Sequence, residues 1–288
     1  MKVRKLGDKK PKVLVFQGSP RDKDTCPGMD SKSHEIVDYV INKWSPFVDF
    51  KVIDLAVNQS KRPTIQPCKG CISTAGGYHC HAFCSCYFKG DKSKPDLLKE
   101  MNVYDLLKEC DAFIIVSPIH WHSLSSQIKL LFDRLVCVNQ TLTVEDAKKI
   151  MGSDNIKNSE VTGKFSKSGK YDNMLRNHLE GKVAAFYVHG DDGSNDYSDK
   201  EYPDSYSNVF DDGFSNNPKS VVMPFVMQLK YSGIYVPDEL IQSFYVNKGI
   251  DYYTANITID SQSEFFNRAD NLIENLLEYL DSRIDNFL

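Results

Sequence analysis

The sequence predicts an α/β protein with a doubly wound, five-stranded parallel sheet, helices on both faces and long loop insertions. Short apolar runs alternate with segments of helical periodicity about five times along the chain. The composition, 41% hydrophobic and 26% charged, is that of a globular protein and excludes disordered and fibrous classes. We expect one domain over residues 1–288, with a cysteine-rich loop at 66–90 and polar insertions at 151–177 and 191–217.

The predicted strands are apolar or β-branched runs bounded by turn-forming residues, and two of them are apolar enough to be buried on both faces. In chain order they are Lys12–Gln17, Phe47–Ala56, Ala112–Val116, Lys182–His189 and Leu240–Val246.

The predicted helices carry apolar residues at helical spacing, and the first follows a cap-like Asp30-Ser31 pair. The first helix begins near Ser31, the second covers Lys94–Glu109, and the third follows the stripe from Leu124 to Val138. The fourth covers Pro218–Tyr231 despite Pro224, and the last, with a stripe from Phe265 to Leu280, ends the chain.

Charge and hydropathy restrict the kinds of partner. The 35 Lys and Arg residues against 39 Asp and Glu give a net charge of −4, so the chain lacks the excess positive charge typical of proteins that bind nucleic acid or an anionic membrane. No apolar run is long enough to span a membrane, and no apolar segment follows the charged N-terminus. We therefore expect a cytoplasmic protein that binds neither nucleic acid nor membrane.

The loop after the first strand has the chemistry of a phosphate site. Gly18-Ser19-Pro20-Arg21 offers a turn, a hydroxyl and a cation, and Ser31-Lys32-Ser33 opens the next helix with unpaired N–H donors. The dinucleotide and Walker patterns are absent, which favours a mononucleotide-like phosphate. The alternative is an ordinary capped turn between strand and helix.

The loop after the third strand suits a flat heterocycle. Ser117-Pro118-Ile119-His120-Trp121-His122 combines a rigid turn with aromatic and imidazole groups at the sheet edge where ligands of such folds bind. The alternative is that Trp121 only packs and both histidines are solvated. Hydrolase motifs such as G-x-S-x-G are absent.

Three motifs carry a family resemblance: a strand followed by GSPR at Val13–Arg21, PCKGC at Pro67–Cys71, and CDAFIIVSPIHWHSLSSQIKLLFDR at Cys110–Arg134. With them the chain resembles the flavodoxin-like NADPH-dependent FMN reductase and iron–sulfur flavoprotein superfamily. The resemblance covers roughly residues 12–137 and is weaker onward to about residue 250. It implies a flavodoxin-like fold, noncovalently bound FMN, and a homodimer or higher homo-oligomer.

The resemblance also implies a set of site residues. Those expected at the FMN phosphate are Ser19, Arg21, Ser31, Lys32 and Ser33; those at the flavin ring are Ser117, Pro118, Ile119, His120 and Trp121; those closing the other side are His189, Gly190 and Asp191. We expect His120 to face the reacting edge as the catalytic residue. The stretch Asp22–Asp30 is longer than the family's usual loop.

The implied function is an FMN-dependent oxidoreductase that passes a hydride from NAD(P)H to FMN and on to a quinone, flavin, nitro or other small acceptor. The cofactor supplies the difficult chemistry, so the protein needs orientation and electrostatics. One alternative is an iron–sulfur flavoprotein that carries electrons to a protein partner. The other is a flavin-free flavodoxin-like interaction module.

Five of the eight cysteines fall between Cys68 and Cys86. Cys-x-x-Cys pairs suit zinc or an iron–sulfur cluster, because two thiolates on one turn reach the same metal. The candidate ligands for a [4Fe–4S] cluster or zinc are Cys68, Cys71, Cys80 and Cys84, with His79 and His81 as possible nitrogen ligands. The alternative is free, disulfide-capable or packed cysteines. We interpret Cys26, Cys110 and Cys137 as buried small hydrophobes.

Overall fold

The computed structural model describes residues 9–25, 28, 30–56, 64–68, 97–139, 144–155, 179–191, 218–246 and 259–284. The chain divides into two compact units. The first comprises Met1–Asn58, Cys110–Ile128 and Lys182–Leu288, and the second comprises Gln59–Glu109 and Lys129–Gly181. The expectation of one domain over residues 1–288 stays a prediction.

The first unit holds a six-stranded sheet, of which five strands are parallel. The strands are β1 (Lys12–Gln17), β2 (Asp49–Asp54), β3 (Ala112–His120), β4 (Ser123–Leu124), β5 (Val183–Asp191) and β6 (Ile241–Val246). The parallel strands follow the order β2-β1-β3-β5-β6, and β4 pairs antiparallel with β3. This is the flavodoxin order, which confirms the predicted α/β fold class.

Two helices cover one face of this sheet, α1 (Lys32–Trp44) and the C-terminal helix α7 (Ile259–Ile284). Alternate residues of the central strands, such as Val15, Ile114 and Ala185, join the apolar stripes of both helices in one core. Helix α6 (Pro218–Tyr231) contacts β5 and β6, and its buried side chains are not part of that core. Helices therefore lie on both faces, as the sequence predicts.

Among the described residues, the second unit contains helices α2 (Leu97–Glu100), α3 (Val103–Glu109) and α5 (Val144–Met151), together with most of α4 (Ser126–Asn139). The backbone N–H of Leu97 donates to the carbonyl of Thr64 at 3.0 Å. The buried guanidinium of Arg134 donates from Nη1 to the carbonyl of Gln66 at 2.7 Å, so a charged group fixes the chain just before Pro67.

Two predicted elements differ in the structure. The helix expected over Lys94–Glu109 is broken between α2 and α3, where Asn102 has a φ of 52°. Asn enters the left-handed region more readily than most residues, so it ends one helix without glycine. The strand expected to end at Val116 continues to His120. No helix in the described part of the chain is long and apolar enough to cross a membrane.

A buried carboxylate joins the two helices that cover the sheet. Asp270 of α7 accepts hydrogen bonds from the indole Nε1 of Trp44 at 2.9 Å, the hydroxyl of Tyr39 at 2.7 Å and the ammonium of Lys43 at 2.6 Å. Lys43 is half exposed, so its ion pair adds little. The indole donor is buried, and Asp270 provides its acceptor.

We expect Asp270→Ala to lower the free energy of unfolding by about 2–4 kcal/mol, because a buried donor loses its acceptor and a charged hydrogen bond is lost. Urea unfolding of the variant measures this change. Glu278→Ala, on the exposed side of α7, serves as the control and should stay within about 0.5 kcal/mol of the wild type. Equal stability of the two variants would contradict a structural role for Asp270.

Candidate functional site

Gly18 packs the start of the first loop against β3 and the segment 125–128. Its N–H donates to the carbonyl of Val116 at 2.7 Å, and its carbonyl accepts the hydroxyl of Ser125. A Cβ on Gly18 would lie 2.6 Å from Cγ1 of Ile128, closer than side chains approach. The carboxyl ends of β1 and β3 flank the point where the strand order reverses, which is where ligands of doubly wound sheets bind.

The predicted phosphate residues lie on this first loop and at the start of α1. Ser19 is buried, and its hydroxyl accepts the N–H of Arg21 at 3.2 Å. Ser31 caps α1 by accepting the N–H of His34 at 3.3 Å, so the helix begins where the sequence predicts. Lys32 pairs with Glu35 at 3.2 Å within the first helical turn.

The end of β5 meets the same helix terminus. Ser33 Oγ and His189 Nε2, both on buried side chains, lie 2.7 Å apart. Burial, and secondarily the positive charges of Lys32, His120 and Arg21, lower the pKa of His189 to about 3. His189 is therefore neutral at pH 7, and two cations stand close to the start of α1.

The predicted heterocycle loop is a hairpin. Ser117, Pro118, Ile119 and His120 belong to β3, and His120 pairs with Ser123 of β4 across a two-residue turn. That turn consists of Trp121 and His122, with φ values of 50° and 59°. A two-residue hairpin turn with positive φ at both positions normally contains Asn and Gly, which tolerate that conformation. Trp121 and His122 adopt it here at a conformational cost. Trp121 is 94% exposed at its tip.

The strand ends around this hairpin approach one another closely. A Cβ on Gly190 would lie 3.2 Å from Cβ of Ile119, tighter than ordinary Cβ contacts, so a side chain there would require Ile119 to shift slightly. The pKa of His120 is lowered by partial desolvation and by the charge of Arg21, which connects the hairpin electrostatically to the first loop. Asp191 is the last residue of β5.

The sequence reasoning missed three residues beside the first loop. Gln17 and Asp54 end β1 and β2, and His34 lies in the first turn of α1. Gln17 Nε2 donates to Asp54 Oδ1 at 2.9 Å, and His34 Nε2 lies 3.3 Å from Asp54 Oδ2. Two features of the sequence could have identified them. His34 stands three residues after the cap, and Gln17 and Asp54 are polar residues at the ends of parallel strands, which lie at one edge of the sheet.

The proposed metal ligands lie mostly outside the described residues. Cys71, Cys80 and Cys84 lie outside the described residues, and Cys68, which is described, is half-buried. The described residues contain no group of three or more His, Cys, Asp or Glu arranged to hold a metal ion. The cluster or zinc site therefore stays a prediction.

Of the three cysteines interpreted as packed, Cys110 is buried, which confirms that interpretation for this residue. Desolvation raises the pKa of its thiol to about 11. Cys26 and the side chain of Cys137 are outside the described part of the structure.

The donor set at this edge fits the phosphate of a flavin mononucleotide. Arg21 and Lys32 supply fixed positive charge, Ser19 and Ser31 supply hydroxyls, and the 13-residue helix α1 points its N-terminus to the same place. The hairpin beside them presents an exposed indole for stacking. The arrangement can bind a phosphorylated aromatic ligand.

Several solved structures align with this chain. RosB with bound 8-demethyl-8-formylriboflavin-5'-phosphate aligns at a TM-score of 0.50 and 11% identity, over 94% of this chain and 81% of that chain. The NAD(P)H:quinone oxidoreductase from Methanothermobacter marburgensis aligns at 0.47 and 12%, over 93% and 98%. General stress protein 14 from Treponema denticola, in complex with FMN, aligns at 0.44 and 13%, over 94% and 99%. No curated protein matches the chain significantly in sequence.

The fold class is thus flavodoxin-like. The sequence profile of the NADPH-dependent FMN reductases matches residues 11–154, half of the chain, and the chain belongs to that family. The predicted resemblance is confirmed, and so is the enzyme class of NAD(P)H-dependent oxidoreductase.

The hairpin turn gives a direct test of the backbone geometry. We expect His122→Val to lower the free energy of unfolding by about 1–2 kcal/mol, because a β-branched residue strongly disfavours positive φ. His122→Asn should unfold within about 0.5 kcal/mol of the wild type, because Asn tolerates that region. Thermal and urea unfolding measure both, and a Val variant as stable as the Asn variant would contradict the turn.

Proposed function

We propose that this enzyme binds FMN at the carboxyl edge of the sheet and uses NAD(P)H to reduce a quinone, flavin, nitro compound or similar small acceptor. When bound, FMN supplies hydride acceptance from the nicotinamide and transfer of the two electrons to the acceptor. The residues of this chain bind, orient and shield it. The observation that carries the proposal is the grouping of Arg21, Lys32 and the start of α1 beside an exposed aromatic hairpin.

The phosphate in this proposal lies against the first loop and α1. Arg21 gives a cation with forked donors, and Ser31, Lys32 and Ser33 provide N–H groups and hydroxyls at a helix N-terminus. Ser19 sits in the same loop, held by its N–H bond to Gln17. His189 keeps Ser33 in place through their 2.7 Å contact and, being neutral, adds no charge to the site.

The ring in this proposal lies beside β3. Ser117 accepts the N–H of Ser125 at 3.2 Å, which holds the strand end as the hairpin begins. Trp121 offers an aromatic face, and His120 is a neutral imidazole near Arg21 that can donate or accept at the reacting edge. Gly190 and Asp191 close the opposite side. A homodimer that covers this edge is a further part of the proposal.

We expect Arg21→Ala to weaken FMN binding roughly 10-fold to 150-fold, the loss of one charge-assisted hydrogen bond of about 1.5–3 kcal/mol. Riboflavin lacks the phosphate and should bind wild type and variant equally. Fluorescence titration of the apoprotein with each ligand measures both affinities.

Lys23→Ala is the matched control, because Lys23 is an exposed cation two residues along the same loop. It should change FMN affinity by less than about 3-fold, a surface charge effect. If Arg21→Ala binds FMN as tightly as the wild type, the phosphate lies elsewhere.

The visible spectrum and metal content of the purified protein test the function as a whole. We expect flavin absorbance alone, FMN released on denaturation, and NAD(P)H oxidation coupled to quinone reduction. Additional broad absorbance at about 400 nm with iron and labile sulfide, lost in Cys71→Ser, would instead support the iron–sulfur alternative. A colourless protein that FMN cannot reconstitute would support an interaction module.

A further inference from the structure

A chain of hydrogen bonds connects the two ends of the first loop. The N–H of Ser19 donates to Gln17 Oε1, and Gln17 Nε2 donates to Asp54 Oδ1 at 2.9 Å. Asp54 Oδ2 faces His34 Nε2 at 3.3 Å, and His34 Nδ1 lies 2.9 Å from the hydroxyl of Ser31. The start of the loop at Ser19 and its end at Ser31 are thus linked through one titratable imidazole.

Asp54 fixes which ring nitrogen of this imidazole keeps its proton. The carboxylate is itself held, because Oδ1 accepts the N–H of Ala56 at 2.9 Å. Gln17 Nε2 also lies 2.9 Å from His34 Nε2 and 3.2 Å from His34 Nδ1. Because it is nearly equidistant from the two ring nitrogens, it is off the in-plane lone pair of each, and its two hydrogens have oxygen acceptors in Asp54 and in the carbonyl of Ser19 at 3.4 Å. The charged carboxylate is the strongest acceptor at His34 Nε2, so the neutral ring carries its hydrogen there.

The surroundings favour the charged imidazole. The pKa of His34 is raised above 6.5 mainly by its hydrogen bond to Asp54, with burial opposing and the charges of Asp54, Asp30 and Asp38 adding to the rise. Gln17 and Ser31, which face the ring from β1 and the loop, are uncharged. The interactions of the charged ring are therefore present at low pH and lost as pH rises through the raised pKa.

The Ser31 hydroxyl makes a different hydrogen bond to His34 in each protonation state of the imidazole. In the charged ring, Nδ1–H donates to Ser31 Oγ, whose second lone pair accepts the backbone N–H of His34. The hydroxyl hydrogen is then available to an anion in front of the helix. In the neutral ring, Nδ1 is an acceptor and takes that hydrogen. Protonation of His34 thus adds one donor and one positive charge to the start of α1.

We propose that His34 is a positioning residue that couples uptake of one proton to binding of the FMN phosphate, by releasing the Ser31 hydroxyl toward it. The inference rests on the proposed phosphate position at Ser31–Ser33. Linkage makes the effect reciprocal: protonation strengthens FMN binding, and bound FMN holds the proton on His34 more tightly. Asp54 acts through His34 and does not itself contact the ligand in this proposal.

The pH dependence of FMN affinity tests the coupling. We expect the Kd of the wild type for FMN to rise between about pH 6 and about pH 9. The total rise is about 10-fold for each pKa unit by which bound FMN raises the pKa of His34. Riboflavin affinity should stay flat. The second ionisation of the FMN phosphate, at about pH 6, contributes equally in every variant, so the ratio of a variant's Kd to the wild-type Kd isolates the effect of His34.

Three variants are compared in this titration. His34→Gln removes the titrating ring, so its Kd should lack the His34-dependent rise and the ratio of the two Kd values should change with pH. Asp54→Asn should move the transition to lower pH. Asp49→Asn makes the same substitution at the exposed start of β2 and should retain the wild-type profile. Circular dichroism of each variant establishes that it is folded before titration.

A direct measurement is the NMR titration of the His34 imidazole. We expect its pKa to be higher in the FMN complex than in the apoprotein and unchanged by riboflavin. An equal pKa with and without FMN, or a His34→Gln profile parallel to the wild type, overturns the proposal. If Arg21→Ala nevertheless weakens FMN binding, the phosphate site stands and only the coupling fails. If Arg21→Ala has no effect, the proposed phosphate site itself is wrong.

Discussion

The close packing of Gly18 against β3 and the segment 125–128 is the constraint on which the candidate site depends. Its N–H and carbonyl bond to Val116 and Ser125, and the space where a Cβ would lie is filled by Ile128. Because the strands are parallel, the loops after β1 and β3 leave the sheet at the same edge. The missing side chain at Gly18 lets the first loop pack directly against β3, the strand that leads into the hairpin.

Electrostatics at this edge follow from burial as much as from charge. Arg21 and Lys32 are cations, and a charged imidazole at His189 would repel both. Burial keeps His189 neutral, so it can bond to Ser33 without adding repulsion. His34 experiences the opposite environment, because Asp54 stabilises its charged form. The pKa values of two histidines near one helix terminus are thus shifted in opposite directions by their neighbours.

The hairpin after β3 stores conformational strain where the ring of a flavin is proposed to lie. Trp121 and His122 hold positive φ angles without glycine, and the surrounding pairing of Ile119 with Leu124 maintains them. Such positions persist where the neighbouring structure determines them, and they concentrate at functional sites. The same turn leaves the indole of Trp121 exposed, which a purely structural turn does not require.

Local sequence determined much of this protein. The alternation of strand and helix predicted the order of elements, and Ser31 predicted the start of α1, because cap geometry and periodicity depend on residues a few positions apart. It also placed Arg21, Ser33 and His189 near one edge, since the carboxyl ends of parallel strands coincide.

Only the tertiary structure decided the extension of β3 and the Gln17–Asp54–His34 network. The segment Pro118–His120 has the composition of a loop, and it becomes a strand because β4 and β5 pair with it. Asp54 is 37 residues from Gln17 and 20 from His34 in sequence. No local pattern specifies such partners, because they are neighbours only once the strands have taken their order in the sheet.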